Sequence, residues 1–201
     1  MNAWTKKVNG DKIKADIHDA IIKLVDRDGW DNLSIAKIAV ESGYSGSTVY
    51  RHYQNKNTLL SEFTREGYLL LYREVVRAGT VSLLPALRLN HMWQAYWNFA
   101  FTQQKYYRLM FGVGTSSCRL SPCCPELKCF VKAFITAMRG AVVSYGKTEE
   151  RVDAEFYTYW SVVHGLICLN FQQNEFSRGL NNMVLMESFH AIANTFQASV
   201  L

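Results

Sequence analysis

The chain has 201 residues, enough for one large domain or two small ones, and 49% of them are hydrophobic and 13% aromatic. A formal charge of +5, with nine Lys/Arg against seven Asp/Glu in the first 56 residues, excludes a strongly basic tail, so any nucleic-acid contact has to come from placed residues rather than bulk charge. No apolar run reaches the about 20 residues that span a bilayer, and the opening Met-Asn-Ala-Trp-Thr-Lys-Lys lacks the apolar core of a signal peptide; the expected location is the cytoplasm, with reduced cysteines and no membrane partner.

Pro is scarce and strand-type alternation is hard to find, so the chain reads as all-α. Ile13, Ile17, Ala20, Ile21, Leu24 and Val25 recur at helical spacing and predict an amphipathic helix over residues 11–28, ended by Asp28-Gly29. Ser34 is placed to cap a second helix with Ile35, Ile38 and Ala39 on its apolar face. Gly43 supplies a tight turn, and Ser45 caps a third helix running to about His52, with Tyr50 and Tyr53 packing it back on the first two. That is the layout of a helix-turn-helix, whose second helix enters the DNA major groove. Asn55 caps a fourth helix over residues 56–78, with Leu59, Leu60, Phe63, Leu70 and Leu71 as its core. Gly79 and Pro85 mark the passage to a second domain. Trp93, Trp97, Phe101, Tyr106, Leu109 and Met110 then lie on helical stretches, followed by a loop at about 112–124. Pro125 opens a helix to about Tyr145, residues 149–174 form a long helix, and residues 182–198 form the last. There is no internal repeat and no low-complexity segment.

The run from Ile17 to Leu60 resembles the N-terminal domain of TetR/AcrR-type bacterial transcriptional regulators. The pieces that carry the resemblance are the first-helix pattern, Gly29, Leu33-Ser34, Ile38-Ala39, Gly43-Tyr44-Ser45, the string Thr48-Val49-Tyr50-Arg51-His52-Tyr53, and Asn55-Lys56 with Leu59-Leu60. Farther on, Tyr107-Arg108-Leu109-Met110-Phe111 and Trp160-Ser161-Val162-Val163-His164-Gly165-Leu166 look like segments of the ligand domains of some members. The resemblance implies a helix-turn-helix DNA-binding domain at 1–56, a connecting helix at 56–78, and a larger helical ligand-binding and dimerisation domain at 79–201. It also implies a homodimeric, ligand-responsive regulator, most often a repressor, on a pseudo-palindromic double-stranded operator.

Ser47, Thr48 and Tyr50 match family positions that face DNA, and hydroxyls can reach bases or phosphates. Gly46 stands where some members carry a base-reading side chain, which leaves readout to its neighbours, to water or to DNA shape. Lys56, at the positive end of the fourth helix, is placed as a phosphate clamp. His52 either contacts a phosphate or packs, Ser34 is a cap first and a phosphate contact second, and Ser45, the cap of the third helix, is also counted among the DNA-binding residues. Lys6, Lys7, Lys12 and Lys14 form either a basic arm near a groove or a solvated terminus. In the second domain, Trp93, Trp97, Phe101, Tyr107, Phe111, Phe130, Phe134, Tyr157, Trp160 and His164 are the expected lining or core. Apolar walls with a few polar handles suit a small, flat effector that is apolar, aromatic or cationic. Val163, Leu166, Leu169, Phe189, Ile192, Ala193 and Phe196 are the residues the resemblance assigns to a four-helix dimer interface, and an apolar terminal helix needs such a partner.

Cys118, Cys123, Cys124 and Cys129 fall within 12 residues, spaced C-x4-C-C-x4-C rather than in the C-x2-C pairs of a zinc site. No metal site or cofactor is assigned. An alternative reading keeps the DNA-binding head and makes this cluster a redox or metal sensor, while Cys168 lies inside a helix. A third reading, an all-helical enzyme or carrier, lacks an H-E-x-x-H pattern, a Gly-rich phosphate loop and a nucleophile elbow.

Overall fold

The computed structural model describes residues 3–113, 124–144, 151–172, 183–184 and 187. Among them are eight helices and no strand: α1 (Ala3–Asp28), α2 (Ile35–Ser42), α3 (Gly46–His52), α4 (Lys56–Gly79), α5 (Pro85–Thr102), α6 (Gln104–Phe111), α7 (Pro125–Ser144) and α8 (Val152–Gln172). The all-α expectation is met. The helix expected at 182–198 lies outside the described residues, except for the few positions just named.

The start of the first helix differs from the sequence reading. α1 begins at Ala3 rather than at residue 11, because Gly10 weakens a helix by about 1 kcal/mol without forbidding it. The helical stretch after Pro85 is two helices, parted at Gln103, whose N–H still closes on the Phe99 carbonyl at 2.8 Å.

The chain divides into two compact units that do not follow chain order. The first runs to Glu66 and takes in α6 from Lys105; the second holds Gly67–Gln104 with α7 and α8. In the first unit α2 packs on both α1 and α3. Ile17, Ile21 and Leu24 of α1, Ile38 of α2 and Val49 of α3 close a core with Leu59 and Phe63 of α4. Each such side chain contributes on the order of 1.5–3 kcal/mol of apolar burial. Phe63 is the hub, with the His18 ring stacked on it at 4.8 Å and the Trp30 edge at 5.3 Å. Several contacts tie α6 into this unit. Trp30 Nε1–H donates to the Lys105 carbonyl at 2.8 Å, Lys105 Nζ meets the Asp26 carboxylate at 2.8 Å, and Tyr106 lies 6.4 Å from Phe63.

In the second unit α7 packs against α5 and α8, and α5 also touches α8. The seam is aromatic. Trp93 lies 4.2 Å from Phe134, Phe130 meets Phe134 edge-on at 5.3 Å, and Phe156 stacks on Trp160 at 5.5 Å. Trp93, Tyr96, Phe130, Phe134 and Phe156 are fully buried.

Candidate nucleic-acid interface and aromatic core

The α2–α3 turn is set by Gly43, whose φ of 72° lies in the left-handed region that a side chain disfavours. Ser45 then caps α3. Its Oγ accepts from the Thr48 N–H at 3.2 Å and lies 2.8 Å from Ser47 Oγ and 2.9 Å from Thr48 Oγ1. Val49 is the buried anchor of α3 and Tyr53 the buried residue after it. The opposite face presents Ser47, Tyr50 and Arg51, at helical i, i+3 and i+4 spacing. Tyr50 is 54% exposed, so it does not pack back on the first helices as the sequence suggested. Gly46 opens α3 with nothing within 4 Å of where a Cβ would stand.

Other predicted DNA contacts take distinct places. Ser34 is an exposed N-cap, accepting from the Lys37 N–H at 3.3 Å. Lys56 Nζ donates to the Asp31 carbonyl at 2.8 Å, pinning the start of α4 to the loop before α2 and leaving two ammonium protons. His52 has a buried Nε2 with no hydrogen-bond partner among the described residues. Lys14 is engaged with Glu62 at 3.0 Å and sits over the Tyr53 ring, whereas Lys12 is exposed. The sequence reading passed over Arg51, an exposed cation on α3 with no ion-pair partner among the described residues. The available signal was its position four residues after Ser47, on the side away from Val49.

A polar cluster absent from the sequence reading joins α1, α4 and α6. His18 Nε2 lies 2.9 Å from the Glu66 carboxylate, which also takes a hydrogen bond from Tyr106. The hydrogen bond to Glu66 raises the His18 pKa above its ordinary value, against the opposing effect of burial. Burial pushes the Glu66 carboxyl up, but the His18 and Tyr106 hydrogen bonds with the imidazolium charge bring it down overall. His18 therefore adds stability that is complete below its unfolded pKa, about 6.5, and is lost as pH rises through the elevated folded value. Glu66 contributes above its ordinary range and fades as pH falls through its lowered value. A His18→Gln variant is expected to flatten the near-neutral part of the stability profile of the parent, read as urea midpoints from pH 5 to 9. Parallel profiles would remove His18 from this role.

In the second unit, six of the predicted effector residues do converge. Trp93, Phe130, Phe134, Tyr157 and Trp160 share one ring cluster, and His164 reaches it through a chain of polar contacts. Trp160 Nε1–H donates to the Tyr96 hydroxyl at 3.0 Å, and that hydroxyl is directed at His164 Nδ1 at 3.3 Å. His164 Nε2 lies 3.5 Å from Cys168 Sγ. Burial lowers the His164 pKa, so the imidazole is neutral near pH 7, and burial raises the Cys168 thiol. Trp93 is fully buried, yet its Nε1–H meets no acceptor among the described residues. Trp97 and Phe101 pair at 5.0 Å beside Phe171, with Phe101 at 41% exposure. Tyr107 and Phe111 pair with each other at 4.6 Å on α6, in the first unit.

Of the dimer residues, Val163 is fully buried within its own chain, Leu166 is 8% exposed and Leu169 45% exposed. Phe189, Ile192, Ala193 and Phe196 lie outside the described residues, as do Cys118 and Cys123. Cys124 is buried with Sγ 3.2 Å from the Glu126 carboxylate, and burial raises its thiol pKa; Cys129 is exposed, and both are free thiols. No cluster of three potential metal ligands occurs among the described residues. No helix among them is long and apolar enough to cross a membrane.

Residues 17–63 match the profile of bacterial regulatory proteins of the tetR family, and residues 89–196, over half of the chain, match the tetracyclin repressor-like C-terminal domain. The chain belongs to the TetR family. It is a TetR-family transcriptional regulator with a DNA-binding helix-turn-helix domain. Solved structures share the fold across both halves. A Rhodococcus sp. RHA1 protein of unknown function matches with a TM-score of 0.72 at 19% identity, covering 92% of each chain. The fatty acid degradation regulator FadR from Bacillus halodurans matches with a TM-score of 0.68 at 14% identity, covering 90% of this chain and 94% of its own. A TetR family transcription regulator from Marinobacter aquaeolei VT8 matches with 0.64 at 14% identity, covering 92% and 97%. No curated protein matches the sequence.

Proposed function

We propose that this TetR-family member is a cytoplasmic homodimeric repressor, released from a pseudo-palindromic operator by a small apolar or aromatic effector. The reading places the DNA-binding domain at 1–56, the connecting helix at 56–78 and the effector and dimer domain at 79–201. The observation that carries it is the outer face of α3, where Ser47, Tyr50 and Arg51 are exposed over buried Val49 and Tyr53. A recognition helix needs this division, anchored on one side and chemically equipped on the other. Tyr50 and Arg51 supply phosphate or base contacts, while Ser34 and the remaining ammonium protons of Lys56 supply phosphate contacts that fix register.

The effector reading rests on Trp93. A buried indole N–H without an acceptor is a standing penalty of about 1–3 kcal/mol, and an effector carrying an acceptor among these rings relieves it. The neutral His164 and the surrounding rings favour an uncharged or weakly polar molecule. The connecting helix α4 runs from one unit into the other, and α6, in the chain segment of the effector domain, is bonded into the head through Trp30, Asp26 and Glu66, so these two helices are the elements through which a shift would reach the head. The effector must bind the DNA-incompetent arrangement better, since it moves the equilibrium only by its differential affinity.

The deciding experiment is selection of genomic DNA fragments by the purified protein at a stated salt concentration. An inverted repeat with half-sites spaced by about 34–36 Å or a multiple is expected. Salt-sensitive binding without any enriched sequence would leave only the electrostatic term and overturn the operator reading.

A further inference from the structure

A groove of about 520 Å³ lies in the second unit, walled by the end of α4, the start of α5 and the middle of α7. Its charged lining is Arg88 and Lys132, with no carboxylate among the described residues that line it. Arg88 Nε–H donates to the Ser82 carbonyl at 3.3 Å, which orients the guanidinium while its terminal nitrogens keep their hydrogen-bonding capacity. Neither cation has an ion-pair partner among the described residues. A larger groove of about 720 Å³ between α4 and α5 contrasts with it, because there Arg77 is already paired with Glu74. Of these two grooves, the smaller carries the excess of positive charge.

Its floor is apolar. Val76, Met92 and Ala133 face the space, and Tyr72 and Thr136 add hydroxyls at its edge. Gly79 lets the end of α4 come close to α5, since a Cβ there would stand 3.2 Å from Met92 Sδ. Two cations lining one groove beside apolar side chains select a ligand with one anionic end and one apolar end. A guanidinium fork matches the oxygens of a carboxylate or phosphate, and the ammonium adds a point charge.

We propose that this groove binds a small amphipathic organic anion, with its carboxylate or phosphate on Arg88 and Lys132 and its apolar body along Val76, Met92 and Ala133. The site is separate from the aromatic core and does not depend on the operator reading.

Cys129 provides the readout, because it lines the groove and is exposed, whereas Cys124 is buried. The full-length protein is treated with iodoacetamide, an uncharged reagent, and alkylation of Cys129 is followed by mass spectrometry. The probes are octanoate, octyl phosphate and, as the uncharged control, octanol. For each variant the comparison is the rate with probe against the rate without, which cancels any change in thiol reactivity. At least one anion is expected to slow modification of Cys129 by about tenfold when present at ten times its dissociation constant, and octanol is expected not to. Protection by octanoate alone or by octyl phosphate alone supports the site and names its headgroup. The R88Q/K132Q double variant, and K132Q by itself to a lesser degree, should lose that protection with an unchanged helical spectrum. Equal rates with and without both anions overturn the proposal, as do equal protection by octanol and protection that survives in R88Q/K132Q.

Discussion

A protein carrying Tyr50→Ala and Arg51→Ala is expected to bind its operator roughly 100-fold more weakly than the parent at the same salt, since each lost contact is worth about 1–3 kcal/mol. Both side chains stand on the exposed face of α3, away from Val49, so their removal leaves the packing of the head intact. Thermal stability should accordingly move by no more than about 0.5 kcal/mol. Salt dependence separates the two roles. If Arg51 meets a phosphate, Arg51→Ala alone should lower the slope of log affinity against log salt by about 0.9 per contact on B-DNA, uniformly across sequences. If it reads a base, the slope stays and discrimination at one operator position relaxes. Parent-like affinity in the double variant would show that α3 is not the reading helix.

The head was legible because local rules and packing agree there. Ser34, Ser45 and Asn55 cap where their side chains suggest, and Gly43 takes the left-handed turn that its type allows. Ile38, Val49 and Phe63 fall on the buried faces that helical spacing demands. Tyr50 was harder to place, because an aromatic residue reads equally as core or as contact, and only the fold shows which side of α3 Val49 claims. Arg51 was passed over for the opposite reason, since one surface cation in a sequence looks like any other until its neighbours are known. The partnership of α6 with α1 and α4 was not legible at all. It rests on pairs such as Asp26 with Lys105 and Trp30 with the Lys105 carbonyl, separated by more than seventy residues and carrying no local periodicity. The aromatic domain was legible as composition but not as placement. Trp93 and Phe134 are core, while Phe101 and Tyr157 come to the surface. Helical spacing fixes which residues share a face, but not how much of that face a neighbouring helix covers.

The shift of one residue on α8 gives the second large effect. The sequence reading assigned Val163, Leu166 and Leu169 to a dimer face, yet Val163 is fully buried in its own chain while Val162 is 39% exposed. Val162, Leu166 and Leu169 lie at i, i+4 and i+7 on one side of α8, Leu166 being largely covered, and no described residue comes within 4 Å of where a Cβ on the adjacent Gly165 would stand. Two exposed apolar side chains on one side of α8, either side of the mostly buried Leu166, suit a second helix at close range, so the dimer proposal is best tested at Leu169. Leu169→Glu puts a carboxylate into that contact, and an unpaired charge in an apolar interface is strongly unfavourable. Light scattering is expected to give a monomer. Operator affinity should fall by about 10²–10⁴, because the second half-site is no longer held at high effective concentration. Val163→Glu should behave differently, lowering stability outright, since its carboxylate would enter the core of the chain itself. That pair of variants separates interface from core. Leu169→Glu that remains a dimer with full operator affinity would place the interface on another surface, and dissociation by both variants at unchanged stability would show that Val163, too, reaches the partner.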